Sequence, residues 1–165
     1  MYEELLPLLL ALDGVRQDPA YHPEGDALYH SLQVFQLARA ATSDRGLWAA
    51  ALLHDVGKAI DSASHDEVGA DLLSDIVSPR IVWLVRHHLD LLKNPRQTKR
   101  RYRGTPALVD LQQLRRWDVG GRSPLAVVPS PEMALSMLFE GADFSLLEPG
   151  GESALCHESR KETFA

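Results

Sequence analysis

Apolar residues recur at spacings of three and four along most of this chain, and no run alternates apolar with polar residues long enough to predict a strand. The pattern predicts an all-α domain with helices at about residues 2 to 13, 27 to 43, 45 to 57, 65 to 76, 79 to 93, 106 to 118 and 130 to 140. The breaks between them are chemically legible. Asp13-Gly14 ends the first helix, His22-Pro23-Glu24-Gly25 is a loop, Ser43-Asp44 caps the third and Ser78-Pro79 opens the fifth. Gly120-Gly121, Pro124 and Pro129 mark a turn-rich connection. Residues 1 to 140 form one helical domain on this reading. Residues 141 to 165, with Pro149-Gly150-Gly151 and a polar end, are expected as a tail that wraps the core or is mobile.

Composition narrows the setting. A chain of 165 residues with 45% hydrophobic content supports a single core. Its net charge of -6 argues against a surface that tracks nucleic acid along its whole extent, although it leaves room for a local basic patch. A lone cysteine, Cys156, excludes an internal disulfide framework and a multi-thiolate metal site, and fits a reducing compartment. The apolar run Leu5 to Leu12 follows Glu3 and Glu4 and contains Pro7, so it is neither a signal peptide nor a membrane span. A soluble cytoplasmic protein is expected, with no membrane partner and with nucleic acid disfavoured as a partner; a homo-oligomer is compatible with the pattern.

Several histidines and aspartates fall on the faces that should be buried. His30 shares a face with Ala27, Val34 and Leu37; His54 follows Leu47, Ala50 and Ala51; His65 precedes Val68, Gly69 and Leu72; Asp118 follows Leu111 and Leu114. An unpartnered neutral polar group in a core costs roughly 2 to 7 kcal/mol. Each residue alone has a plain explanation as a hydrogen-bonded core side chain, yet a shared cation would satisfy all of them. Imidazole and carboxylate are ligands for divalent metals. The adjacent His54-Asp55 can offer both to one ion, and the second carboxylate oxygen can bridge to another. Lys58 then stands beside the metal, either holding a phosphate oxygen or simply as a solvated helix-end cation. Of His87 and His88, the second follows Ile81, Leu84 and Val85 and is preferred as the inward ligand, leaving His87 at a rim where it can meet substrate.

The order of His30, His54-Asp55 and Asp118 resembles the HD-domain superfamily of metal-dependent phosphohydrolases, with its H…HD…D pattern on a helical bundle. ALLHDVGK at residues 51 to 58 is close to the central motif of that superfamily. HPEGDALYHS at 22 to 31 is similar to the approach to the first histidine in HD domains that include those attached to tRNA nucleotidyltransferases. The resemblance spans about residues 22 to 120. It implies that His30, His54, Asp55 and Asp118 hold one divalent transition metal (Fe, Mn, Ni, Co or Zn), and that His65 and His88 complete a second site with Asp55 bridging.

Two chemistries follow from such a site. In the hydrolytic one, a metal activates water against phosphorus, Asp55 and Lys58 serve catalysis, and Lys58, His87 and Arg122 bind a nucleotide or another small phosphorylated metabolite. The acid-free run Lys93 to Arg103 is expected as a solvated loop that can steer an anion. In the alternative, a mixed-valent di-iron oxygenase acts on an organophosphonate or polyol. The series H…HD…H…H…D, the segment LRRWD at 114 to 118, and Tyr21 with Glu24 ahead of His30 all resemble that branch. Leu92 stands where the phosphonate enzymes carry a lysine, with Lys93 one place off, and the step from Asp55 to His65 is short, so hydrolysis leads. A non-catalytic sensor is the third reading, opposed by the complete ligand series. Asp61, Asp66, Glu67 and Asp90 are expected as surface charges, with Glu67 near enough to accept from His65.

Overall fold

The computed structural model describes residues 1–141 and 147–149. In order come α1 (Tyr2–Leu10), α2 (Ala27–Ala41), α3 (Arg45–Leu53), a 3₁₀ turn (Val56–Ala59), α4 (His65–Leu73), α5 (Pro79–His87), α6 (Asp90–Lys93), α7 (Pro95–Arg101), α8 (Pro106–Gly120) and α9 (Pro131–Phe139). The fold is an all-α bundle. Among the described residues the only β-type pairing is an isolated bridge between Arg16 and Asp26.

The bundle is built around α3, whose residues from Gly46 to Leu53 are all buried. A helix that is apolar on every side belongs in an interior, and the small side chains of Ala49, Ala50 and Ala51 let α2, α5, α8 and α9 approach it closely. Leu5 and Leu9 anchor α1 to the core beside α9. Side chains cap the helix starts as short polar residues do: Asp26 accepts from Tyr29 N at 2.9 Å, and Asp44 from Leu47 N at 3.1 Å. Arg80 ties three helices together, reaching Asp44 at the start of α3 and Asp110 on α8, both at 2.8 Å.

Several predicted boundaries move, each for a local reason. The first helix stops at Leu10 and gives way to turns that end at Gly14, where φ is 77°. The third ends at Leu53, and its expected last turn tightens into the 3₁₀ turn. The helix expected at 79 to 93 is divided at His88. The His88 ring bonds the Val85 carbonyl at 2.6 Å, the acceptor that a continuing helix would offer to the backbone N–H of Leu89. The chain restarts as α6. Residues 95 to 101, expected as loop, form α7, opened by Pro95 and anchored by buried Thr98, whose hydroxyl donates to the carbonyls of Asp90 and Asn94. Most of the predicted tail lies outside the described residues. Leu147 is buried against the core, and its carbonyl accepts from Ser78 N at 2.6 Å. Among the described residues no helix is long and apolar enough to cross a membrane.

Candidate metal centre

Helix C-termini leave backbone carbonyls without intrahelical donors, and here histidines supply them. His54 follows the last residue of α3 and turns Nδ1 back to Ala51 O at 2.9 Å; His88 follows α5 and does the same to Val85 O at 2.6 Å. His65 opens α4 with Nδ1 on Ser62 O at 2.9 Å. His30, within α2, directs Nδ1 to Gly121 O at 2.8 Å, just past the end of α8. That approach requires a bare backbone, because a Cβ on Gly121 would lie 2.7 Å from Val34 Cγ2. Carbonyl oxygens only accept, so each of the four Nδ1 atoms carries its hydrogen. In a neutral ring the lone pair is then on Nε2.

The four Nε2 atoms converge around one carboxylate. Asp55 Oδ2 lies 3.4 Å from His54 Nε2 and 3.9 Å from His30 Nε2, while its Oδ1 lies 3.2 Å from His65 Nε2 and 3.8 Å from His88 Nε2. Asp118 joins the first pair, with Oδ1 3.3 Å from His30 Nε2. Neither His30 Nε2 nor His54 Nε2 has a hydrogen-bond partner, although both are buried. His65 Nε2 and His88 Nε2 face each other at 3.2 Å, an arrangement of two lone pairs that a proton on one ring or a metal ion between them would relieve. Donors about 2.1 Å from a common ion sit roughly 3.0 to 3.4 Å apart. The residues therefore fit metal binding: His30, His54 and Asp55 could hold one ion and Asp55, His65 and His88 a second, with Asp118 beside the first set through His30. The C-termini of α3, α5 and α8 all end here, and their partial negative charge favours cations.

Electrostatics match this arrangement. Burial pulls the His30 imidazole down, but Asp118, Glu24 and Asp55 outweigh it and raise its pKa to about 9. Burial dominates at His54, lowering it to about 3 against the opposing pull of Asp55, and His88 is lowered for the same reason. Burial alone would raise the Asp55 carboxyl; His54, His65 and Lys58 hold it well below the usual range instead. Asp118 is depressed in the same way, by His30 and His54. Without metal, His30 is thus held in its charged form at neutral pH beside two carboxylates, and His54 stays neutral.

The predicted substrate residues are distributed differently. Lys58 Nζ contacts Asp55 Oδ2 at 2.7 Å and donates to Gln17 Oε1 at 2.5 Å. Arg122 reaches Asp118 Oδ1 at 3.2 Å and the Tyr21 carbonyl at 3.0 Å. Both line the carboxylate pair. The contacts of His87 are to other groups: its ring packs at a tilt against Trp83 at 4.6 Å, bonds Asp90 Oδ2 at 2.9 Å and lies against Tyr102.

Three side chains that contribute here are not singled out by helical periodicity, because they lie in the loop before α2 or carry a charge that the pattern assigns to the surface. Glu24 is buried and meets the Nδ1 atoms of His22 and His30 at 2.8 and 2.9 Å. The His22 ring packs edge-on against His30 at 4.9 Å. Asp66 is buried and pairs with Lys93 at 2.7 Å, which corrects its expected surface role. Glu67 is exposed and leaves His65 to Ser62 O. Tyr21, expected beside Glu24 at the site, is 68% exposed. Of these, Tyr21 and Glu24 are marked in the sequence by their resemblance to the oxygenase branch, and His22 with Glu24 by the HPEGDALYHS stretch that resembles the approach to the first histidine in HD domains.

The family model for the HD domain matches residues 27–119, more than half of the chain. The chain belongs to the HD-domain family. It is similar to the multifunctional CCA protein of Halorhodospira halophila, 46% identical over 74 residues, which is 41% of this chain and 18% of that protein. The multifunctional CCA protein of Hahella chejuensis is 37% identical over 78 residues, 43% of this chain and 18% of that protein. The chain thus spans less than a fifth of the length of these curated relatives.

Proposed function

We propose that this HD-domain protein is a metal-dependent phosphohydrolase that cleaves a phosphate ester or anhydride in a nucleotide or small phosphorylated metabolite. The observation that carries the reading is the Asp55 carboxylate with an imidazole pair on each oxygen, in a buried site where two Nε2 atoms lack any other partner. A divalent transition metal held there supplies a Lewis acid for phosphoryl oxygen and lowers the pKa of water toward neutrality. The chain's own residues supply the rest. His30, His54, Asp118 and Asp55 bind and orient one ion, and His65 and His88 share Asp55 with a second. Backbone carbonyls at Ala51, Ser62, Val85 and Gly121 lock the ring tautomers. Lys58 and Arg122, already at the edge of the carboxylates, offset the negative charge of an incoming phosphate.

The di-iron oxygenase is the second reading, favoured by the division of the ligands into two sets about Asp55. Two observations weigh against it. Tyr21 is largely exposed, and Lys93, the lysine nearest in sequence to the phosphonate-binding position, is engaged by Asp66. A panel of phosphorylated metabolites assayed under anaerobic conditions tests the choice. Hydrolysis predicts metal-dependent phosphate release without oxygen, with one water oxygen incorporated into phosphate. It also predicts that Lys58→Ala lowers kcat/KM by tenfold or more while metal content is retained. No release across the panel, together with oxygen consumption on a phosphonate or polyol, would overturn it.

A further inference from the structure

The described surface carries a second feature that the metal centre does not use. Arg96, Gln97, Lys99, Arg100 and Arg103 line an open concavity of about 700 Å³ along α7 and the turn that follows it. Positions 96, 99, 100 and 103 are separated by three, four and seven residues, so a helical path presents them on one side. Among the described residues none of these four cations has an acidic partner. The acids nearby are already committed: Asp66 to Lys93, Asp90 to His87 and Asp110 to Arg80.

A solvated helix end explains part of this, since basic residues in a last turn complement the helix dipole. Lys99, Arg100 and Arg101 are in that position. It does not explain Arg96, which lies in the first turn where a cation is unfavourable, or Arg103 beyond the helix. Like charges three and four residues apart also repel one another. The protein as a whole is acidic, at -6, so the concentration of unpaired guanidinium groups here runs against its composition. Buried Thr98 ties the helix to α6 through the Asp90 carbonyl, so the charges are presented on an attached element.

We propose that this face binds the phosphodiester backbone of a nucleic-acid strand. Guanidinium groups make paired hydrogen bonds to phosphate oxygens, which favours a polyanion over neutral partners. A concavity lined by several such groups in series suits successive phosphates better than a single one. The neighbouring aromatic, Tyr102, is held edge-on by Trp83 at 5.3 Å and is covered by Arg101, so it offers no free platform for a base. Recognition is therefore of the backbone and tolerant of sequence. The proposal concerns α7 alone and does not rest on the hydrolase reading.

The test is fluorescence anisotropy of the whole protein with a labelled single-stranded RNA 12-mer, titrated with NaCl. Four phosphate contacts give a log-log salt slope near -2.8, so affinity should fall roughly 50-fold between 50 and 200 mM salt. The double variant Arg96→Glu with Arg100→Glu should lose at least tenfold in affinity and flatten the slope, and Arg103→Glu, outside the helix, should lose severalfold on its own. Unchanged far-ultraviolet circular dichroism and metal content would establish that both variants remain folded. Absence of binding at 50 mM salt, equal binding by the charge-reversed variants, or binding of inorganic polyphosphate but not of RNA would overturn the proposal.

Discussion

His30 and His54 are both buried imidazoles in the same cluster, and their surroundings drive them in opposite directions. His30 faces Asp118 and Glu24 and is raised to about 9 from the ordinary 6.5. His54 lies deeper and is lowered to about 3. The stability of metal-free protein should record both. Between pH 6.5 and 9 the folded chain keeps a proton on His30 that the unfolded chain has lost, so stability declines as pH rises through that window. Between 6.5 and about 3 the unfolded chain protonates His54 while the folded chain does not, so stability declines as pH falls. The depressed carboxyls of Asp55 and Asp118 extend the acid loss below their ordinary range. Urea midpoints across pH are expected to peak near neutrality and fall on both sides; a profile still rising at pH 9 would contradict the assignment of the proton to His30.

At the scale of elements, the centre depends on how closely α4 approaches the 3₁₀ turn. A Cβ on Gly57 would lie 2.2 Å from His65 O and 2.6 Å from Gly69 N, both backbone atoms that cannot swing aside. Gly57→Ala should therefore cost about 3 kcal/mol or more, and it should displace the start of α4 that carries His65. Chemical denaturation measures the first effect, and loss of metal from the second set measures the other. A variant of wild-type stability with both metals retained would show that the contact is dispensable. The inward phase of His30, His54, His65, His88 and Asp118 was legible because periodicity reports which face is buried. What periodicity could not reveal was the ring-to-carbonyl bonds that end α3 and α5, since a side chain competing for a backbone acceptor leaves the apolar spacing intact. Glu24 escaped that reading for a related reason: its loop has no period, and only the folded loop sets its carboxylate between the rings of His22 and His30. No apolar stripe marks the charge run Lys93 to Arg103, so periodicity predicts a loop there; Pro95 and the Thr98 hydroxyl make residues 95 to 101 of it a helix.

Across the whole molecule, an apolar centre, α3, brings three helix ends together, and the Nε2 atoms of His30 and His54 meet there buried and without a hydrogen-bond partner. Burial of such groups is costly unless a cation is shared, so the fold and the centre are expected to depend on each other. Metal content per chain tests that dependence most directly. Protein loaded with a divalent transition metal and freed of excess should carry close to two ions by elemental analysis. His65→Ala should carry close to one, and Asp55→Ala should retain little of either and melt at a lower temperature. Wild-type protein without bound metal, or Asp55→Ala with full occupancy, would contradict the account.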